Sequence, residues 1–372
     1  MRPTVILLLW ASLAAPSLAS VNETAAQIAI NAALESSHVP GMGAVVIRDR
    51  HLAAIAVGGI TRMDKTKPVK ASDPWLIGSN AKPMTAAMIL RLVEQSRLSL
   101  DARLEDTDPG LAVSAQREYR AITLRQMLTH TSGLPHDYHD LAKVAVSLGG
   151  HGSLPEQRLT YLGLALKDPP VAPPGKSFHY SNTGFILAAA IAERATGLSY
   201  EQLMQREIFE PLGMRGALVG LPPADGNHGH TNGKPAAPPD EIPPMMNPAG
   251  GISLSLSAWA EFCIDQLDGA KGHGRLLTAA NYKLMQSPQP ESGNGLDWGY
   301  DASIGHWQGP VLEHTGSDGA WMSLVVLFPA SGNGLLVNAN AGSSMGGESA
   351  DKSVLRALLP LVAHQVTSRA GK

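Results

Sequence analysis

Apolar positions first fall into a helical rhythm in "ETAAQIAINAALESSH", residues 23–38, which is also rich in good helix formers. Two short apolar runs follow in "GMGAVVIRDRHLAAIAVGGI", split by the polar "RDRH", and predict a β-hairpin. From residue 79 to about 290 the pattern is mostly helical with intervening loops, as in "LRQMLTH", "TGFILAAAIAERATG" and "YEQLMQREIF". Strand patterns return in "LDWGYDASIGH", "PVLEHTG", "AWMSLVVLFPA" and "GNGLLVNANA", before a last helical stretch, "SADKSVLRALLPLVAHQVTS". No internal repeat is evident.

A helix and two strands at one end, with strands and a helix at the other, predict an α/β (α+β) fold. One antiparallel sheet is expected from both termini (residues 21–78 and 291–372), flanked by N- and C-terminal helices, with a large helical domain inserted at 79–290. Ligand clefts form at such junctions. The stretch "GLPPADGNHGHTNGKPAAPPDEIPPMMNPAGG", residues 220–251, is too long and proline-rich for a simple connector. It is either a disordered excursion or an ordered loop edging the cleft, and the cleft edge is the favoured reading.

Composition narrows the class. The 372 residues are 44% hydrophobic and 16% charged with net charge -3, as in a soluble globular protein with a sizeable core and no surface suited to nucleic acid. The first twenty residues, "MRPTVILLLWASLAAPSLAS", combine one Arg, an apolar run and the small-x-small end Ser17, Leu18, Ala19. That is a signal-peptide pattern, with the mature chain expected to begin near Ser20 or Val21 in the periplasm or outside the cell. No later run approaches the roughly 18–20 apolar residues of a membrane span. Cys263 is the only cysteine, so no intrachain disulfide can form, and its setting "AWAEFCIDQL" reads as a buried helix.

The chemistry begins in "WLIGSNAKPMTAAMILRLVEQ". Ser79 and Lys82 stand three apart at the head of a helix, which places the ammonium over the hydroxyl. Two fixed positions recur by chance, and Ser349 and Lys352 form a second copy. A nucleophilic serine also needs proton-transfer partners and an oxyanion site. Tyr180-x-Asn182 stands at a loop-to-helix junction, and His314-Thr315-Gly316 ends one strand pattern just before the next. Such a strand could offer the N–H of Ser317, with that of Ser79, to a developing oxyanion.

In this order the three elements resemble the motifs of the penicilloyl-serine hydrolase superfamily, which includes class C β-lactamases, D-alanyl-D-alanine carboxypeptidases, D-aminopeptidases and β-lactamase-like esterases. The phrases "LTHTSGLP", "PPGKSFHYSNTGF", "EPLGM" and "NPAGGISLSLSAWAEF" extend the likeness over residues 30–365. The resemblance implies a secreted serine hydrolase that cleaves a small amide or ester, such as a D-amino-acid peptide, an ester or a β-lactam. Ser79 would form the acyl-enzyme, with Lys82 and Tyr180 sharing the proton transfers and Lys82 lowering the phenol's pKa. Asn182 would hydrogen-bond Lys82 and the substrate amide, His314 would lie between substrate and Tyr180, and Thr315, Gly316 and Ser317 would line the cleft. No cofactor or metal is implied. His stands at position 314 where class C enzymes carry Lys, which points to the carboxypeptidase, aminopeptidase and esterase members. The alternative is a penicillin-binding or receptor protein acylated at Ser79 without turnover.

Several patterns compete. "GSSMG", residues 342–346, matches the nucleophile elbow of α/β-hydrolases, but only 28 residues follow Ser344, and Asp351 and His364 both fall on the terminal helix pattern. His130, His136 and His139 cluster, as do His228 and His230, without a compact metal-ligand spacing, and are read as loop histidines. Asn22, Glu23 and Thr24 form a glycosylation sequon by pattern alone. Oligomeric state and the identity of the substrate are left open.

Overall fold

The expected hairpin joins β1 (Gly41–Arg48) to β2 (His51–Gly59), through a turn in which Asp49 and Arg50 both adopt positive φ. Two left-handed residues in a two-residue turn match the twist of the flanking strands. The structure, a computed structural model, describes residues 18–149, 151–305 and 307–363. Residues 1–17 of the expected signal peptide, and His364, therefore lie outside the described residues.

The C-terminal strand patterns become β3 (Gly299–Ile304), β4 (Trp307–Ser317), β5 (Met322–Phe328) and β6 (Asn333–Ala339). All pairings are antiparallel, and the sheet order β2-β1-β6-β5-β4-β3 zips the two ends of the chain together through β1 and β6. Alternate side chains of the inner strands enter two separate cores. On β5, Met322, Leu324, Val326 and Phe328 face one, and Val325 and Leu327 face the other. A strand buried on both faces reads as an unbroken apolar run, which is why β5 and β6 stand out in the sequence.

One core is closed by α1 (Leu18–Ser36) and, at the chain's other end, by a long helix over Gly347–Val362. Gly58 lets α1 settle closely on β2, since a Cβ there would stand 2.8 Å from Leu34 and 3.0 Å from Ile30. The second face carries the helical part, including α2 (Lys82–Glu94), α3 (Asn182–Thr196) and α4 (Leu256–Gly269); the Gly347–Val362 helix is α5. α4 packs directly on β1 and β2, and Leu256 sits 2.5 Å from where a Cβ on Gly43 would be. The sheet's second layer thus comes from within the segment expected to form the helical insertion. Helices α2 and α3 are buried along nearly their whole length, as helices that are apolar all round must be. No helix among the described residues is long and apolar enough to cross a membrane.

Ile30 is fully buried between α1 and the sheet. Ile30→Ala should lower unfolding free energy by about 2–5 kcal/mol, read from urea denaturation, because the site cannot collapse around the lost atoms.

Candidate active site

Ser79 lies on a 3₁₀ turn, Gly78–Ala81, that runs straight into α2. Pro83 falls in the first turn of that helix, where its missing N–H costs nothing. Lys82 is therefore one turn beyond Ser79, and its Nζ donates to Ser79 Oγ at 3.0 Å and to the carbonyl of Ala249 at 2.5 Å. Lys82 is 0% exposed. Burial brings its ammonium down to about 8, against the pull of Asp297 and Asp137, which favour the charged form.

Tyr180 comes from the loop entering α3, whose N-cap Ser181 accepts from Gly184 N–H and donates to the carbonyl of Pro135. The Tyr180 hydroxyl donates to Ser79 Oγ at 2.7 Å, and Lys82 Nζ lies 4.7 Å from the centre of its ring. Burial, reinforced by Asp297, pushes the phenol well above its usual range. The expectation that Lys82 lowers this pKa is not met: burial and the carboxylates of Asp297 and Asp137 raise it, and the hydrogen bond with Ser79 offsets them only in part. Asn182 also departs from expectation. Its Nδ2 donates to Asp137 at 3.1 and 3.3 Å, while Lys82 takes the Ala249 carbonyl instead.

The strand β4 brings His314, Thr315, Gly316 and Ser317 beside the serine turn. A Cβ on Gly78, at φ 51°, would come 2.4 Å from Ser317 N, and one on Gly316 would come 2.0 Å from Ile77 O and 2.9 Å from Asn80 N. Turn and strand touch backbone to backbone, with no room for a side chain between them. Asn80 clamps the contact. In the amide orientation that satisfies both its ends, its oxygen accepts from Gly316 N–H at 3.2 Å and its nitrogen donates to His314 O at 3.3 Å.

Asp297, which sequence reasoning did not single out, lies behind this constellation. Its carboxylate meets His130 Nε2 at 2.6 Å and His314 Nε2 at 3.0 Å, with all three side chains nearly or fully buried. Ser181 N–H donates to His130 Nδ1, so His130 carries its proton on Nε2, toward Asp297. The His130 ring stacks on Tyr180 at 4.4 Å between centroids. His130, read from sequence as a loop histidine, is thus part of the site. Burial alone would raise the Asp297 carboxyl, but the two imidazoles bring it down to about 2.

Two cavities adjoin the Ser79–Tyr180 pair, one bordered by each residue. The larger, about 980 Å³, is lined by Ser79, Asn182, Asp137, Ser317 and the apolar face of the helix Leu141–Leu148. Its other wall is the segment 220–251, ordered here as a cleft edge through Leu221, Ile242 and Met246. The smaller, about 250 Å³, lies between Tyr180, His314, Thr315 and Asp297.

The competing patterns disperse. Exposed Ser344 shares a hydrogen bond with Thr231, and Lys352 pairs with Glu348 rather than Ser349. His136 contacts Asp137, His139 contacts Asp168, His228 meets the Ala236 carbonyl, and His230 lies between Met63 N–H and the Asn340 carbonyl. No group of three or more His, Cys, Asp or Glu among the described residues is placed to hold a metal. Cys263 is buried in the core, with its thiol pushed up by burial.

A buried lysine one turn from a serine, on the helical part, and a His-Thr-Gly stretch at the end of β4, beyond its pairing with β3, define the active-site-serine class that shares the β-lactamase fold. The chain belongs to the Beta-lactamase family, whose model matches residues 27–359. It is 28% identical over 326 residues to penicillin-binding protein 4 of Amycolatopsis lactamdurans, covering 82% of this chain and 83% of that one. A D-stereospecific amidohydrolase from Streptomyces sp. superposes with TM-score 0.71 at 25% identity, covering 90% of this chain and 98% of that one. The octameric penicillin-binding protein homologue from Pyrococcus abyssi shares the fold, with TM-score 0.73 at 23% identity over 90% of this chain and 76% of that one. The family supports a serine hydrolase or penicillin-binding function.

Two variants test the interlock. Gly316→Ala should lower stability by about 1–3 kcal/mol in urea unfolding through forced displacement of the serine turn. Gly163→Ala, in the helix Leu154–Ala165 with nothing within 4 Å of the added methyl, should be neutral or raise stability by up to about 1 kcal/mol. Asp297 supplies a pH signature. Its carboxyl is lowered from 3.8 to about 2 on folding, so its contribution is present above 3.8 and lost as pH falls through 2. Stability measured across that window should fall in the wild type and fall less steeply in Asp297→Asn.

Proposed function

We propose that the protein is an exported serine hydrolase that cleaves a small amide or ester through an acyl-enzyme on Ser79. The observation that carries this reading is the paired contact on Ser79 Oγ, 3.0 Å from a lysine amine brought down to about 8 and 2.7 Å from a phenol held protonated. Neutral Lys82 takes the hydroxyl proton as Oγ attacks the carbonyl carbon, and the N–H groups of Ser79 and Ser317 receive the oxyanion. Tyr180 gives its proton to the departing amine or alcohol as the scissile bond breaks, and Lys82 then returns a proton to the phenolate. Water repeats the sequence in reverse order: its proton goes to the base, Ser79 Oγ leaves with a proton, and the acid is released.

The opposed pKa shifts support Lys82 as the base and Tyr180 as the acid, roles that the sequence left shared. A phenol above its usual range is a poor base and a retained acid, whereas an amine near 8 is in part unprotonated at neutral pH. His314 and Thr315 line the leaving-group side with Tyr180, and Asn182 and Ser317 line the acyl side with Ser79. The basic, apolar and small-residue order of the first twenty residues supports export to the periplasm or beyond.

Time-resolved intact-protein mass spectrometry with a penicillin, a D-alanyl-D-alanine peptide and an aryl ester should give an acyl adduct or turnover that Ser79→Ala abolishes. Turnover surviving in that variant would overturn the assignment. Because the reactive lysine is the neutral one, kcat/KM should rise with pH and level off above about 8. Lys82→Ala should lose roughly 10²–10⁴-fold in acylation, as expected for removal of a general base.

A further inference from the structure

The turn that follows the His-Thr-Gly stretch is knotted around a carboxylate. Ser317 Oγ donates to the Trp321 carbonyl at 2.7 Å and accepts from Gly319 N–H at 3.0 Å, while Asp318 Oδ1 accepts from the N–H groups of Ala320 and Trp321 at 2.9 and 3.0 Å. Asp318 Oδ2 is buried, and the Ile242 N–H, from the cleft wall 220–251, is a further donor to the carboxylate. The same wall meets the turn a second time. There His230 N–H donates to the Ala320 carbonyl at 2.9 Å, and Gly229 lies so close to Trp321 that a Cβ on it would stand 2.4 Å from the indole Nε1. Buried Trp321 in turn meets Trp75, just ahead of the Ser79 turn, edge-on at 6.1 Å.

Asp318 is the only charged residue of the turn 317–321, and a charge is costly there. Burial pushes its carboxyl up to about 6, although the N–H groups of Ala320, Trp321 and Ile242 favour the ionised form. The other titratable groups lining the same cavity are Asp137, Glu241 and His136, with no lysine or arginine among them to offset the charge. Since the carboxyl is raised on folding from 3.8 to about 6, the stability its neutral form contributes is present below 3.8 and is lost as pH rises through 6. A charge that the fold is better without points to the site it borders. Only the ionised side chain is all acceptor; a protonated acid or an amide sets a donor among the converging N–H groups.

We propose that Asp318 is a positioning residue for the oxyanion site: its carboxylate clamps the turn 317–321 to the cleft wall at Ile242 and so holds the N–H of Ser317 where charge develops on the substrate carbonyl. It acts through the backbone of its neighbour, on the other side of which Gly316 and Gly78 pack turn against strand. This inference rests on the serine hydrolase reading.

The test compares an aryl ester with its thiono analogue, in which sulfur replaces the carbonyl oxygen and is the poorer acceptor, in the wild type, Asp318→Asn and Ser79→Ala. A well-aimed pair of N–H donors favours oxygen, so the ratio of ester to thionoester kcat/KM should fall roughly tenfold in Asp318→Asn, while kcat on the ester falls roughly 10–100-fold. A loss of folded enzyme does not move that ratio. Titration of Lys82 cancels from it too, since both substrates need the same base. In the wild type alone the ratio should therefore fall as pH is lowered through about 6, and it should stay flat in Asp318→Asn. A ratio unchanged by the substitution, or one with the same pH dependence in variant and wild type, removes Asp318 from this role and leaves the hydrolase reading standing. Absence of Ser79-dependent turnover or acylation with either ester, and with the penicillin and peptide as well, overturns the hydrolase reading and the inference together.

Discussion

Everything at this site depends on one backbone-to-backbone contact, in which the turn carrying Ser79 is pressed against the end of β4 with no side chain between them. Gly78 and Gly316 make it possible, since a Cβ on either would stand under 2.5 Å from backbone of the other element. Gly78 also takes a left-handed φ of 51°, which adds the conformational reason to the steric one. The contact ties the serine-bearing helix, which belongs to the helical part, to the sheet formed by both ends of the chain. It also sets the N–H of Ser317 beside the Ser79 turn. Asn80 then clamps the register from within the turn, reaching both Gly316 and His314.

With that geometry fixed, burial sets the electrostatics in opposite directions for an amine and a phenol. The desolvation that moves Lys82 toward its neutral form drives Tyr180 toward its neutral form too, and for an amine this yields a base, whereas for a phenol it yields an acid. The buried carboxylate of Asp297 raises both pKa values, so it opposes the neutral form of Lys82 and reinforces that of Tyr180. Asp297 itself tolerates burial because two imidazoles face it, one of which, His130, forms the floor under the Tyr180 ring.

The fold was largely legible because its strands are buried on both faces and its end helices on one, so that periodicity and apolar run length carried the signal. β1 and β2 were marked by the polar "RDRH" between them, and β5 and β6 by unbroken apolar stretches. The role of α4 was not legible, since packing on β1 rather than on the helical part is decided by Gly43 leaving space for Leu256. At the site, the stretches around Ser79, Tyr180 and His314 could be found because short motifs bear them. Asp297, Asn80 and Asp137 could not, for each acts through partners distant in sequence: Asp297 meets residues 130 and 314, and Asn80 meets 314 and 316. The one local hint was backbone. His130 and Asp297 both take positive φ, a conformation in which His and Asp are over-represented and which here turns the two side chains toward each other.

Position 314 shows why a motif letter is not a charge. In the class C enzymes that the sequence resembles, lysine there is a permanent cation; here a histidine stands with its Nε2 3.0 Å from Asp297. Even a protonated imidazole at that position forms a pair of zero net charge with the carboxylate behind it, and at short range a pair presents a far weaker field than an ion. The strand that would draw an anionic group into the cleft is therefore electrically quiet. The larger cavity is bordered by Asp137, Glu241 and Asp318, with no lysine or arginine among its lining residues.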